Sequence, residues 1–195
     1  MKGQLISLLL SLGTLATSRS SGKGMELVNG FNFNIRYNNE TNNLDMEFVI
    51  PDGTWLGIVF GAKSMVNADI IQVRADGINS RFTELYGRGE YQPGTKTNIV
   101  INGTATQSGK EVAFKISRPL ITTDAEHYAM QLDTQTTFGW AANQNSNDPR
   151  NKHTVRGGLK VFVPSDGSLW WSVGGSVSNA ATSLIASLLL VSIFL

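Results

Sequence analysis

Few side chains in this sequence can bind a metal, so the ones that can stand out. The chain has 195 residues, no cysteine, five methionines and two histidines, His127 and His153. Two imidazoles cannot make a three-histidine metal site, and the lack of thiols excludes thiolate sites, cysteine nucleophiles and a CxxCH haem attachment. A Ser-His-Asp triad is allowed by the counts, but no Gly-x-Ser-x-Gly elbow occurs. The run Arg156-Gly157-Gly158 precedes a strand pattern, so it lacks the helix N-terminus that a phosphate loop uses. Soft, neutral ligation of iron is still open. A non-covalent haem takes one or two axial ligands, His with Met or with a second His, inside an apolar pocket.

Met65 lies in Gly61-Ala62-Lys63-Ser64-Met65-Val66-Asn67, just past an apolar run. His153 lies in Asn151-Lys152-His153-Thr154, between a polar stretch and a strand pattern starting near Gly158. Both stand at strand-to-loop junctions, from which a side chain can reach a pocket at the edge of a sandwich. Each residue alone also fits an ordinary role, since a lone Met fills core space and a lone loop His sits in solvent.

The elements that would position them are strands. Leu44, Met46, Phe48 and Ile50 point one way and Asp45 and Glu47 the other, before Pro51-Asp52-Gly53 turns the chain. Trp55 to Phe60 (WLGIVF) is a short apolar run, and Ile70, Ile71 and Val73 lie in another. Val112, Phe114 and Ile116 alternate with Glu111 and Lys115, and Leu159, Val161 and Val163 with Lys160 and Phe162. Turn residues punctuate these runs, helical periodicity does not recur, and no internal repeat is seen. The pattern predicts an all-β, single-domain, antiparallel β-sandwich with immunoglobulin-like layers. Asn143 to Asn151 (NQNSNDPRN) reads as an exposed loop.

Both ends read as processing signals. Lys2, the apolar stretch Leu5 to Ala16 and small residues after it predict a signal peptide over 1–20, cut between Ala16 and Gly22. No charge follows Asp166. Ser172, Gly174, Gly175 and Ser176 precede a short spacer and an apolar tail from Leu184 to Leu195, the order of a glycosylphosphatidylinositol (GPI) signal over 172–195. The domain between them is expected over 21–171, at the outer face of the plasma membrane. In a secreted chain the sequons at Asn39 and Asn102 predict glycosylated, solvent-facing positions. The net charge of +1 marks no nucleic-acid partner.

Several of these segments together resemble the DOMON domain family, the dopamine β-monooxygenase N-terminal type of module. They are Trp55 to Gly61, Met65, Ala68 to Ile71, Pro93, Phe114 to Leu120 with its Arg118-Pro-Leu, Thr122 to Asp124, Phe138-Gly-Trp140-Ala141, and His153 with Arg156-Gly157. The resemblance runs from Asn32 to Val163 and implies a β-sandwich. Members of the family bind b-type haem or sugars. The haem binders include the cytochrome domain of cellobiose dehydrogenase and GPI-anchored plant plasma-membrane cytochromes. In these one Met and one His ligate the iron, and Met65 and His153 fall at the matching positions.

The resemblance therefore implies haem b held by Met65 and His153, with Trp55, Phe60, Phe138 and Trp140 as candidate pocket walls, although ordinary sandwich core is the commoner role for any one of them. Ligation from both sides leaves no open position, which implies one-electron transfer rather than catalysis, and the thioether raises the potential. The family's larger members fuse this domain to redox partners; here the expected donor and acceptor are separate molecules. A glycan-binding module is the alternative, with Trp140, Tyr91, Trp170 and Trp171 as stacking surfaces. A surface coat or adhesion protein without a working pocket is a third. His127, if it shared the pocket with His153, would make a bis-His site.

Overall fold

A strand that buries one face alternates apolar and polar residues, and one that buries both faces does not. Both kinds occur here. The computed structural model describes residues 24–89, 93–95 and 102–168 in full, and strands 18–19 and 171–179 by their backbone alone. The strands are β1 Ser18–Arg19, β2 Met25–Val28, β3 Phe31–Asn38, β4 Asn43–Pro51, β5 Trp55–Phe60, β6 Val66–Arg74, β7 Arg81–Arg88, β8 Gly94–Thr95, β9 Asn102–Ser108, β10 Glu111–Pro119, β11 Gln135–Asn143, β12 Val155–Phe162 and β13 Trp171–Asn179.

They form two antiparallel sheets. The larger has the order β1-β13-β12-β11-β5-β6-β7-β8 and the smaller β2-β3-β4-β10-β9. No helix is present among the described residues. The expected antiparallel β-sandwich is the observed fold.

Between the sheets, the predicted alternation does what it should. Leu44, Met46, Phe48 and Ile50 of β4 are all buried, and register pairs the last three with Ile116, Phe114 and Val112 of β10. Phe33 and Ile35 of β3 stand opposite Phe48 and Met46 on the other side. From the larger sheet, Leu56, Ile58, Phe60, Ile71, Val73, Phe138, Leu159 and Val161 complete one core cluster. Aromatic rings bridge the two layers. Phe138 meets Phe33 with centroids 6.4 Å apart and Phe60 edge-on at 5.0 Å.

A charged pair closes one end of this core. Arg118 continues the inward row Val112, Phe114, Ile116 and is fully buried. It donates to Asp69 of β6 at 2.8 Å and to the Tyr128 carbonyl at 2.9 Å, while Tyr128 N–H donates to the same Asp69 oxygen at 2.8 Å. The guanidinium also lies over the Phe60 ring, 4.6 Å from its centroid. One ion pair thus ties the two sheets and the segment before β11 together.

Candidate functional site

β5 is buried along its whole length. Its inner row, Leu56, Ile58 and Phe60, faces the inter-sheet core. Its outer row, Trp55, Gly57 and Val59, forms part of the floor of a cleft of about 540 Å³ on the outer face of the larger sheet. That is within the roughly 300–1,000 Å³ usual for small-molecule sites. Val59, Ile70 and Leu85, with Ala68, make a second apolar cluster beneath it, against which Ala62 and Met65 pack. The cleft therefore lies on a sheet face, not at the sandwich edge where the sequence placed it. Two loops border it, 61–65 between β5 and β6, and 144–154 between β11 and β12. Met65 comes from the first and His153 from the second, and both line the cleft.

Glycines let the first loop lie flat. A Cβ on Gly87 would collide with the Met65 carbonyl, and one on Gly139 would come within 3.0 Å of the Ala62 carbonyl and 3.2 Å of the Lys63 Cα. Asn67, at φ 50°, takes up the bulge between Val66 and Ala68 that returns the chain to β6, a left-handed conformation Asn tolerates well. Gly87→Ala is expected to cost about 1–3 kcal/mol, as overpacking does, and to push the Met65 backbone off the sheet. A urea-denaturation midpoint equal to that of the unsubstituted protein would show the loop is free to ride away.

The second loop is held by hydrogen bonds on both sides of His153. Asn143 Nδ2 donates to the Lys152 carbonyl at 2.8 Å, and Thr154 N–H donates to the Ala142 carbonyl at 2.9 Å. Farther along, Arg74 Nε donates to the Asn147 carbonyl at 2.6 Å and Asn151 Nδ2 to Ser146 Oγ at 2.8 Å. The stretch expected to be a plain exposed loop is thus a braced one. Its first residue, Asn143, is buried and ends β11. Asp148 and Arg150 pair at 2.7 Å, and Arg150 draws the Asp148 carboxyl down to about 2.

Partial burial, then the charges of Arg156 and Lys152, hold the His153 imidazole below the ordinary histidine range. The ring stays neutral, with a lone pair for a metal, to a lower pH than a free histidine. The unfolded chain takes up that proton first, near pH 6.5. Folding stability therefore loses a contribution as pH falls from about 6.5 towards the folded value. An NMR titration should place the His153 midpoint below 6.5, and Lys152→Ala with Arg156→Ala should move it up. A midpoint at or above 6.5 in the unsubstituted protein would contradict this picture of the site.

The remaining sequence candidates divide. Trp55 lines the cleft, and its indole N–H is buried without a hydrogen-bond acceptor among the described residues. Trp140 lies on the inner row of β11 and also reaches the cleft wall. Phe60 and Phe138 do not wall the cleft. They pack on each other in the inter-sheet core, because Phe60 stands five residues from Trp55 on one strand and so points to the opposite face. His127 is fully buried, 3.3 Å from Asp124 and 4.0 Å from Glu84, and is not among the cleft's lining residues, so the bis-His arrangement is not formed.

As a sugar platform Trp140 is a poor surface, being only 4 % exposed. Tyr91 and Trp170 lie outside the described residues, as does the Trp171 side chain. Asn39 and Asn102 are both exposed, at the β3–β4 turn and the start of β9. Ser172, Gly174, Gly175 and Ser176 lie within β13, whose backbone pairs with β12. Of the expected signal peptide only the backbone of Ser18–Arg19 is described; the apolar tail lies outside the described residues.

The cleft fits a flat apolar group that carries iron. Its floor is apolar, its two soft or neutral donors come from opposite loops, and Gly57 leaves the floor without a side chain where a Cβ would meet Ile70, Trp55 and Ala141 at 3.9 Å.

Fold and cleft define a two-sheet β-sandwich with a ligand-sized hollow on the outside of its larger sheet. The chain belongs to the DOMON domain family, whose model matches residues 29–143. Among solved structures it is similar to the cytochrome b domain of pyranose dehydrogenase from Coprinopsis cinerea, at 14 % identity over 75 % of each chain with a TM-score of 0.46. It is also similar to the cytochrome domain of Myriococcum thermophilum cellobiose dehydrogenase, at 12 % identity over 88 % of this chain and 86 % of that one, with a TM-score of 0.48. No curated protein matches the chain.

Proposed function

We propose that this DOMON protein binds haem b in the outer-face cleft, where Met65 and His153 would hold the iron, and carries single electrons at the cell surface. The observation that carries the reading is that a thioether and a neutral imidazole, far apart in the chain, line one apolar cleft. Bound haem would supply a one-electron iron couple. Met65 would favour the ferrous side of that couple and His153 would hold the iron from the other loop. Trp55, Val59, Ile70 and Leu85 would exclude water from the ring. Cell-surface placement is supported by the leader-like sequence pattern over 1–20, the exposed sequons and the C-terminal pattern that resembles a lipid-attachment signal.

The purified full chain, supplied with haem, should show a Soret band and a low-spin spectrum that sharpens on reduction. A protein that stays colourless would end the proposal.

A further inference from the structure

The charged side chains lining the cleft are all of one sign. Lys63, Arg150, Lys152 and Arg156 stand around it, and no Asp or Glu lines it among the described residues. Arg150 has the Asp148 carboxylate at 2.7 Å, and Lys63, Lys152 and Arg156 add three further positive charges to the rim. A hollow with low-dielectric walls and charges of one sign focuses its field on ions of the other sign. Ammonium and guanidinium groups, moreover, are donors only. The Trp55 N–H adds a buried donor with no acceptor among the described residues, and Trp55 is only 6 % exposed.

We infer that the rim selects carboxylates, so that the ligand enters with its apolar body on the floor and its acid groups out towards Lys63, Lys152 and Arg156. This rests on the haem reading and adds to it. The two propionates of haem are such groups, and the cations of this chain then fix which edge of the ring faces solvent. All three side chains are exposed, so reversing their charge leaves the core untouched.

The purified full chain is titrated with ferric haem and, in the same detergent, with haem dimethyl ester, which keeps the ring and iron but has no acid groups. Charge-assisted hydrogen bonds of ordinary strength predict tighter binding of the diacid by about tenfold or more. Lys152→Glu combined with Arg156→Glu should erase or reverse that preference while the ester still gives the low-spin spectrum. Equal affinities in the unsubstituted protein, or a preference that survives charge reversal, would overturn the inference and leave haem binding standing. If neither porphyrin gives a low-spin spectrum, haem binding itself fails and the inference with it.

Discussion

Replacing His153 with Ala is expected to abolish the low-spin haem spectrum and to weaken haem binding by more than about 100-fold. Losing a mere outer partner of a metal ligand costs roughly 10–100-fold, and His153 would supply the bond itself. Met65→Leu should keep the packing on Val59, Ile70 and Leu85, because the volumes match, while removing the sulfur. The iron should then become five-coordinate and high-spin, with a lower potential. Met65→His should restore six-coordination at a potential still below that of the unsubstituted protein, since it is the thioether that raises it. Absorption spectra and a redox titration read all three variants. A His153→Ala protein that keeps its low-spin spectrum would rule out the assigned ligand pair.

The second large effect concerns the fold. Asp69→Ala leaves the Arg118 guanidinium buried without its carboxylate, and the Tyr128 N–H loses its acceptor as well. Breaking a buried pair from one side costs about 3–5 kcal/mol, so the urea midpoint should fall steeply. Replacing both partners, Asp69→Leu with Arg118→Met, should recover part of the loss, because an apolar pair avoids the desolvation of two charges while the Tyr128 N–H and carbonyl still lose their partners. A cost below about 1 kcal/mol for Asp69→Ala would mean that the pair is not the clasp its geometry describes.

Much of the sandwich was legible because its signal is a period of two. The β4, β10 and β12 rows are buried where the alternation placed them. Strand parity carries further information. Trp55 and Phe60 differ by an odd number, so no strand can present both to one pocket. The unbroken run WLGIVF signals a strand covered on both faces, which is where the outer-face cleft could have been read. Arg118 was legible too, as a charge in step with Val112, Phe114 and Ile116, and a buried charge needs a partner.

What could not be read is the contact between distant glycines and the Met65 loop. A Gly in a strand marks close approach without saying of what, and only the pairing of β6 with β7 brings Gly87 under Met65. The same holds for the bracing of His153, which depends on Asn143 and Ala142 coming to lie beside residues 152 to 154.

The hollow lies outside the larger sheet, and this separates assembly from loading. The layer between the sheets is filled by the chain's own phenylalanines and aliphatic residues, so the polypeptide needs no pigment to reach its final shape. On the haem reading proposed above, the bare chain folds first and takes up the porphyrin afterwards. Thermal melts of the bare and the loaded forms should both be single and cooperative, with the loaded one higher by mass action alone.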